Sequence, residues 1–378
     1  MKKILIIPHS ANTQVRIRLL EISRVLSKRY EVFYLNWHEP KAHCLFSRIK
    51  SAFLNIFSCS KPYNLNNIKI VSIPILHRPL FLARWFNRLQ ISRLMQSYHI
   101  EVLIHGLNYF FPAPRKSANK NAYLNIFDVN DLPAEKIDSY MDKMIYSFTR
   151  AEVLKADFVT TCSLGLLKYV KDNFAKECVY IPNGADFREF SSVSDLKIKE
   201  IRHKYFAQDK FVIGYIGNVG QWVDIKLLVD AYRIFKSDFA HCALWIVGGG
   251  SAVDQYRKEF SHEDIVFTGA IPKEEIAGYF CAIDLGVNPS KESIFQNIAF
   301  HIKLVEYAAA HKIAISTPLE ELRYSQFPHV LIKKPLAECW AQSFKEARDM
   351  VWDKHWDVLS QIYDWNKLGE KFVQLIEK

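Results

Sequence analysis

The 378-residue chain has no long hydrophobic run. Its longest apolar stretches, such as residues 4–7 and 243–247, have the length of strands and fall far short of the roughly 18 residues a membrane helix needs. Lys2 and Lys3 imitate the opening of a secretory leader, but Pro8 and His9 end the apolar stretch too early for one. The expected location is the cytoplasm or the inner face of the cell membrane. Cysteine pairing is also missing. The seven cysteines (44, 59, 162, 178, 242, 281 and 339) are odd in number and scattered, with no Cys-x-x-Cys or Cys/His spacing, so neither a zinc site nor a disulfide framework is implied. No acidic or histidine cluster has ligand spacing, and no metal or cofactor is expected. Glycine is absent where a dinucleotide fold requires it: Pro8-His9-Ser10-Ala11-Asn12-Thr13-Gln14-Val15-Arg16 follows the first strand without one, which argues against NAD chemistry there.

Acidic residues are scarce at one end of the chain. Residues 1–120 hold 19 Lys/Arg against 4 Asp/Glu, while the whole chain carries only +10, so the remainder is net −5. Such a one-sided surplus points to an anionic partner for the first domain, with generic solubility charge as the plainer explanation. A basic, aromatic-bearing segment, Arg78-Pro79-Leu80-Phe81-Leu82-Ala83-Arg84-Trp85-Phe86-Asn87-Arg88, suits an anionic membrane surface, or else a buried amphipathic helix. No nucleic-acid partner is expected.

What the chain does have is a regular alternation of strand-like and helix-like runs, the mark of parallel sheets built from crossover units. Strands are expected at 4–7, 31–35, 68–73, 102–105, 122–127, 158–162 and 179–181. The breaker cluster Pro182-Asn183-Gly184 then closes the first series. A second runs through 211–216, 244–247, 265–267, 285–288, 313–316 and 330–332, and the tail from about Trp352 reads as helix. Two doubly wound series predict an α/β chain of two Rossmann-like domains with a cleft between them. Ligands of such sheets bind beyond the carboxyl ends of the strands.

The loops after the strands therefore hold the candidates. Arg16 and Arg18, with Asn12, stand where an anionic acceptor would meet the first domain; a solvated helix face is the alternative for the arginines. Asp128 and Asp131 follow a strand, where a carboxylate can serve as general base toward an acceptor hydroxyl. Helix capping competes, more strongly for Asp131, because Leu132-Pro133 and Glu135 follow it. His105 ends another strand and is either catalytic or structural. In the second series, Gly217 and Asn218 sit at the first strand end and Gly248, Gly249 and Gly250 at the second, where backbone approaches a phosphate or simply turns tightly. Lys303 and Glu306 lie three residues apart on one face of an otherwise largely apolar helical segment. They form an ammonium for phosphates beside a carboxylate for ribose, or a surface ion pair.

Several of these segments resemble a known family. Tyr180-Ile181-Pro182-Asn183-Gly184-Ala185-Asp186 with Phe190 is similar to the interdomain segment of the large retaining, family 4-like glycosyltransferases of GT-B fold. Phe267-Thr268-Gly269-Ala270-Ile271-Pro272 resembles their loop against the nucleobase, and the stretch from Lys303 to Thr317 their donor site. Gly217 through Asp224, and Phe127-Asp128 with Asp131, are similar to a subset that makes bacterial surface polysaccharides. The chain departs from the family at three places. Ile298 stands where a second donor-site glutamate is common, Asn218 near a usual Arg, and Trp222 or Val223 near a usual Lys. The stretch His311-Lys312-Ile313-Ala314-Ile315 replaces Gly-Lys-Pro-Val-Val.

The resemblance implies a hexosyltransferase-like enzyme that uses a nucleotide-sugar donor as co-substrate and a carbohydrate or lipid-linked acceptor, in surface polysaccharide or lipopolysaccharide synthesis. The expected domains are 1–185 for the acceptor and 186–350 for the donor, with 351–378 returning to the first. Gly217, Asn218, Gly248, Gly249, Gly269, Ala270, Ile271, Lys303 and Glu306 would bind the donor. A sugar-nucleotide epimerase and a catalytically silent carbohydrate-binding protein share this fold and remain alternatives.

Overall fold

The computed structural model describes residues 1–9, 18–38, 62–76, 80–116, 123–132, 138–261, 264–325 and 327–378. It divides into two compact units, 1–182 with 368–378, and 183–367.

In the first unit the described residues form one sheet from β1 (Lys3–Ile7), β2 (Glu31–His38), β3 (Tyr63–Leu65), β4 (Ile68–Pro74), β5 (Val102–Gly106), β6 (Leu124–Val129), β7 (Phe158–Thr161) and β8 (Val179–Tyr180). The spatial order is β3-β4-β2-β1-β5-β6-β7-β8, parallel except for the β3–β4 hairpin. Ile4, Leu5, Ile6 and Ile7 are all buried, as a central parallel strand covered on both faces must be. The hairpin was not among the expected strands. Asn66 and Asn67 make its two-residue turn with φ of 49° and 66°, a conformation asparagine tolerates. The order reverses between β1 and β5, so the crevice of this sheet lies beyond those two strand ends.

A buried ion pair ties this unit together. Arg18, at the start of the helix Arg18–Leu26, donates through Nε to the Asp128 carboxylate at 3.0 and 3.2 Å and through Nη2 at 3.1 Å. Its Nη1 donates to the Pro182 carbonyl at 2.8 Å. The last helix, Trp365–Glu377, ends against the same region, with Arg18 over the Phe372 ring at 5.9 Å. The family-like Pro182-Asn183-Gly184 thus marks the chain's exit from this unit because a guanidinium holds its carbonyl.

The second unit's described residues form a fully parallel sheet of β9 (Phe211–Ile216), β10 (Cys242–Val247), β11 (Ile265–Gly269), β12 (Leu285–Asn288), β13 (Ile313–Ser316) and β14 (Val330–Ile332), ordered β11-β10-β9-β12-β13-β14. The reversal here falls between β9 and β12. Helix starts carry the side chains capping requires: Ser194, Asp224 and Ser293 each accept a backbone N–H of the first turn. Residues 351–367 belong to this unit and not to the returning tail, which corrects the expected boundary at 351. Aromatic packing is the reason. Trp352 stacks on His311 at 4.9 Å, and Tyr363 packs on Phe327 at 5.3 Å and Phe300 at 6.0 Å.

The ion pair makes a stability prediction. Arg18→Met leaves a carboxylate buried without its countercharge and should cost about 3–5 kcal/mol. Adding Asp128→Leu should recover most of that loss. Denaturant unfolding of the three proteins, followed on the first unit's transition, measures both.

Candidate functional site

The ends of β9, β10 and β11 are knitted together by their own backbone. Gly217 N donates to the Val247 carbonyl at 2.9 Å, Val219 N to the Gly249 carbonyl at 2.8 Å, and Gly248 N to the Gly269 carbonyl at 3.1 Å. Gly248 has φ +132°, and a Cβ there would lie 2.1 Å from the Gly217 carbonyl oxygen, so no other residue fits. Close approach of neighbouring loops thus explains this glycine. The N–H groups of Gly217 and Gly248 are already used, so neither is open to a phosphate. Gly249 packs on Ala270, whose Cβ a side chain on the glycine would meet at 3.3 Å. Asn218 and Ala270 are exposed, and Gly269 and Ile271 half-buried, at the same sheet edge.

Lys303 reaches this edge from the helix Ile302–Ala309. Its Nζ lies 3.4 Å from the Tyr215 hydroxyl of β9 and 3.3 Å from Asn288 Oδ1 at the end of β12, and sits 4.6 Å over the Tyr215 ring. It therefore stands at the β9/β12 reversal, where a doubly wound sheet receives its ligand. Gly217, with φ +148°, makes room: a Cβ there would come within 3.2 Å of Lys303 Cε. Burial pushes the Lys303 pKa down to about 8, while the charge of Glu306 one turn on holds it up. The ammonium's close partners are a phenol and an amide, both neutral, so it keeps its charge for an anion. Among the described residues no group of three or more His, Cys, Asp or Glu stands together to hold a metal.

Asn288, Tyr215 and His301 escaped the reading of the sequence. Asn288 Nδ2 donates to Ser316 Oγ at 2.9 Å, and its Oδ1 accepts from Ser290 Oγ at 3.3 Å. An asparagine closing an apolar strand before Pro289-Ser290 was the available signal.

Comparison with known proteins bears on this arrangement. The family model for glycosyl transferases group 1 matches residues 210–345, which span these strand ends and Lys303. A putative teichuronic acid biosynthesis glycosyltransferase, TuaH of Bacillus subtilis (strain 168), is 27% identical over 274 residues. That match covers 66% of this chain and 66% of the relative, just under two thirds of its length. Sucrose-phosphate synthase from Thermosynechococcus elongatus superposes with a TM-score of 0.74 at 14% identity, over 100% of this chain and 98% of that one. HepE of Anabaena, solved with UDP and glucose, gives 0.66 at 13% identity, over 100% of both chains. The chain has the GT-B fold.

The first unit's candidates separate. Asp128 is fully buried, and its oxygens accept from Arg18 and, at 2.6 Å, from Thr160 Oγ1. A carboxylate with no exposed surface, paired with a buried guanidinium, is out of reach of an acceptor hydroxyl, so the choice of Asp128 as the better base is corrected. Arg18, with its guanidinium spent on Asp128 and Pro182, is likewise unable to meet an acceptor. His105 is buried against Phe127, and its Nε2 donates to Asn125 Oδ1 at 3.0 Å. Burial lowers its pKa, which makes it a neutral structural imidazole rather than a catalytic one. Asp131 differs from both. Its Oδ1 accepts only the adjacent Leu132 N–H, at 3.0 Å, among the described residues, and burial raises its pKa to about 6. Asn12 and Arg16, and the Pro133–Glu135 pattern behind the capping reading of Asp131, lie outside the described residues. His9, not among the expected site residues, follows β1 with its Nδ1 3.2 Å from Asn130 Nδ2.

The depressed Lys303 pKa fixes a pH dependence. A bound diphosphate favours the ammonium, so affinity for a nucleoside diphosphate should be steady below about pH 8 and fall by up to tenfold per pH unit above it. Glu306→Gln should move that midpoint downward, because the glutamate raises the lysine's pKa. Lys303→Ala should lose both the affinity and its alkaline limb. Calorimetric titration with UDP and GDP from about pH 6.5 to about pH 9.5 reads all three.

Proposed function

We propose that the second unit binds a nucleotide-sugar donor and that the enzyme transfers the sugar to a carbohydrate or lipid-linked acceptor received by the basic first unit. The observation that carries this reading is the half-buried Lys303 ammonium at the β9/β12 reversal, held by neutral partners. Transfer breaks the bond between the anomeric carbon and a phosphate oxygen, and negative charge grows on the departing diphosphate. A fixed cation in a water-poor setting stabilises that charge more than it stabilises the intact donor. Glu306 would take hydrogen bonds from the ribose. The UDP and glucose seen with HepE support such a donor class, and the name of TuaH supports a role in bacterial surface polysaccharide.

The acceptor hydroxyl loses its proton as the new bond forms, and Asp131 is our candidate to take it. Its pKa near 6 leaves it ionised at neutral pH and basic enough for the task. With the pKa raised by burial, acid should silence the enzyme: turnover should climb as pH passes about 6. Asp131→Asn should lower kcat by about 10²–10⁴-fold with donor affinity intact. Near-normal turnover in that variant, with product of the donor's own anomeric configuration, would instead assign the proton to the leaving phosphate.

A lipid-linked acceptor requires a membrane surface. No described helix is long and apolar enough to cross one. The helix Leu80–Tyr98 nevertheless exposes Phe81 and Trp85 one turn apart on one face. Arg84 is turned inward, over the Phe148 ring at 3.7 Å and 3.6 Å from Glu152, so the cationic contribution expected from it must come from elsewhere in the first unit. Rings of this kind settle among headgroups while cations meet lipid phosphates. Sedimentation with vesicles should show binding that increases with anionic lipid and weakens with salt, and the double change Phe81→Ser, Trp85→Ser should reduce it. Equal binding to neutral vesicles would count against this docking mode.

A further inference from the structure

The network around Lys303 contains a lock on the direction of one amide. His301 immediately precedes the helix Ile302–Ala309 and is buried. Its Nε2 lies 3.0 Å from the Gln296 carbonyl oxygen. A carbonyl has no proton to give, so Nε2 carries the hydrogen. In a neutral ring Nδ1 is then an acceptor only, and it faces Asn288 Nδ2 at 3.4 Å. Burial and the nearby Lys303 push the His301 pKa down to about 4, which keeps the ring neutral.

These facts settle which way Asn288 points. With its NH₂ group toward His301 and Ser316, its Oδ1 faces Lys303 Nζ and Ser290 Oγ. The reversed amide would set NH₂ against an ammonium and a carbonyl oxygen against a bare ring nitrogen. Ser290 cannot enforce the choice, because a free hydroxyl both donates and accepts. Ser316, whose hydroxyl donates to the Thr317 carbonyl at 3.0 Å, accepts from the amide and favours the same direction. His301 fixes it from the other side, since changing its tautomer would break its bond to Gln296. Among the described residues, the charged and titratable groups facing Lys303 are Glu306 from its own helix, Tyr215 from β9 and His301 from the preceding turn.

We propose that His301 and Asn288 are positioning residues for the leaving diphosphate: the imidazole sets the direction of the amide, and the amide oxygen aims the Lys303 ammonium. This rests on the reading of Lys303 as the diphosphate's cation.

Two substitutions separate the two bonds of the ring. His301→Asn puts an amide oxygen where Nδ1 stands and keeps an acceptor for Asn288. His301→Gln places its amide near Nε2 and keeps only the tie to Gln296. UDP and GDP affinity across pH is the readout, with thermal unfolding alongside. His301→Gln should weaken diphosphate binding by about two- to tenfold and move its alkaline midpoint downward, whereas His301→Asn recovers most of the affinity. Asn288→Asp provides a second check: a carboxylate beside Lys303 should raise the midpoint while weakening binding at neutral pH. Equal losses in both His301 variants that track thermal stability, with the midpoint unmoved, would overturn the proposal. So would wild-type binding by His301→Gln while Lys303→Ala has lost it. If Lys303→Ala itself binds as the wild type does, the diphosphate reading fails, and the positioning proposal with it.

Discussion

A lysine ammonium drawn out of water is the constraint around which the second unit's strand ends are arranged. Removing such a charge from solvent costs free energy that hydrogen bonds and nearby opposite charge must offset. Here the offset comes from a phenol, an amide and a carboxylate one helical turn away. Each is set by a different element, so β9, β12 and the helix Ile302–Ala309 must keep their relative places for Lys303 to remain charged. Gly217 is part of the same condition, because any side chain there would push on the lysine stem. The tight weave of Gly217, Gly248 and Gly269 then follows as the way three loops fit beside that stem.

The first unit handles a buried charge differently, and the contrast sorts structure from function. Asp128 receives a guanidinium through two nitrogens and a hydroxyl besides, and with no exposed surface its charge is met inside the fold. A pair so complete stabilises a particular arrangement and has little left for a ligand. Lys303 is the incomplete case, a charge supported by dipoles and by a field, and incompleteness is what an anion-binding site requires. Asp131 shares this character more weakly, since one backbone N–H does not offset its burial and its pKa rises.

Much of the fold was legible because a parallel strand buried on both faces writes an apolar run into the sequence, and each expected strand has its counterpart. The unexpected hairpin lay in a polar segment where only Asn66-Asn67 announced a turn. Side-chain roles were less legible. Lys303 and Glu306 stood out as charges on an apolar helix, but Asp128 and Asp131 look alike along the chain. What separates them is Arg18, 110 residues away and itself read as an acceptor contact. His105 carried the same ambiguity, and only its Asn125 partner removes it. The return of the tail was placed 17 residues early because Trp352, Trp356 and Tyr363 pack as core rather than as linker.

The departures from the family pattern now have a physical consequence. Where related enzymes commonly present an arginine after the first strand of this unit, Asn218 is exposed, and its backbone carbonyl accepts the Tyr215 hydroxyl at 2.7 Å. Where a lysine is usual, Trp222 lies across Gly220, so close that a Cβ on the glycine would meet the ring at 2.3 Å. On the proposed reading, Lys303 is the cation left to meet a departing diphosphate at the β9/β12 end, since Arg257, beside Gly269, is tied to Asp254 and the Phe267 carbonyl. A single cation must be well aimed, since its Coulomb energy weakens with distance and no neighbour makes up the loss. Tyr215 connects the two facts: its hydroxyl donates to the loop that lost the arginine and accepts from the lysine that remains. On that reading, the neutral groups that direct Lys303 take on, through geometry, part of the task that additional positive charges perform in the families this chain resembles.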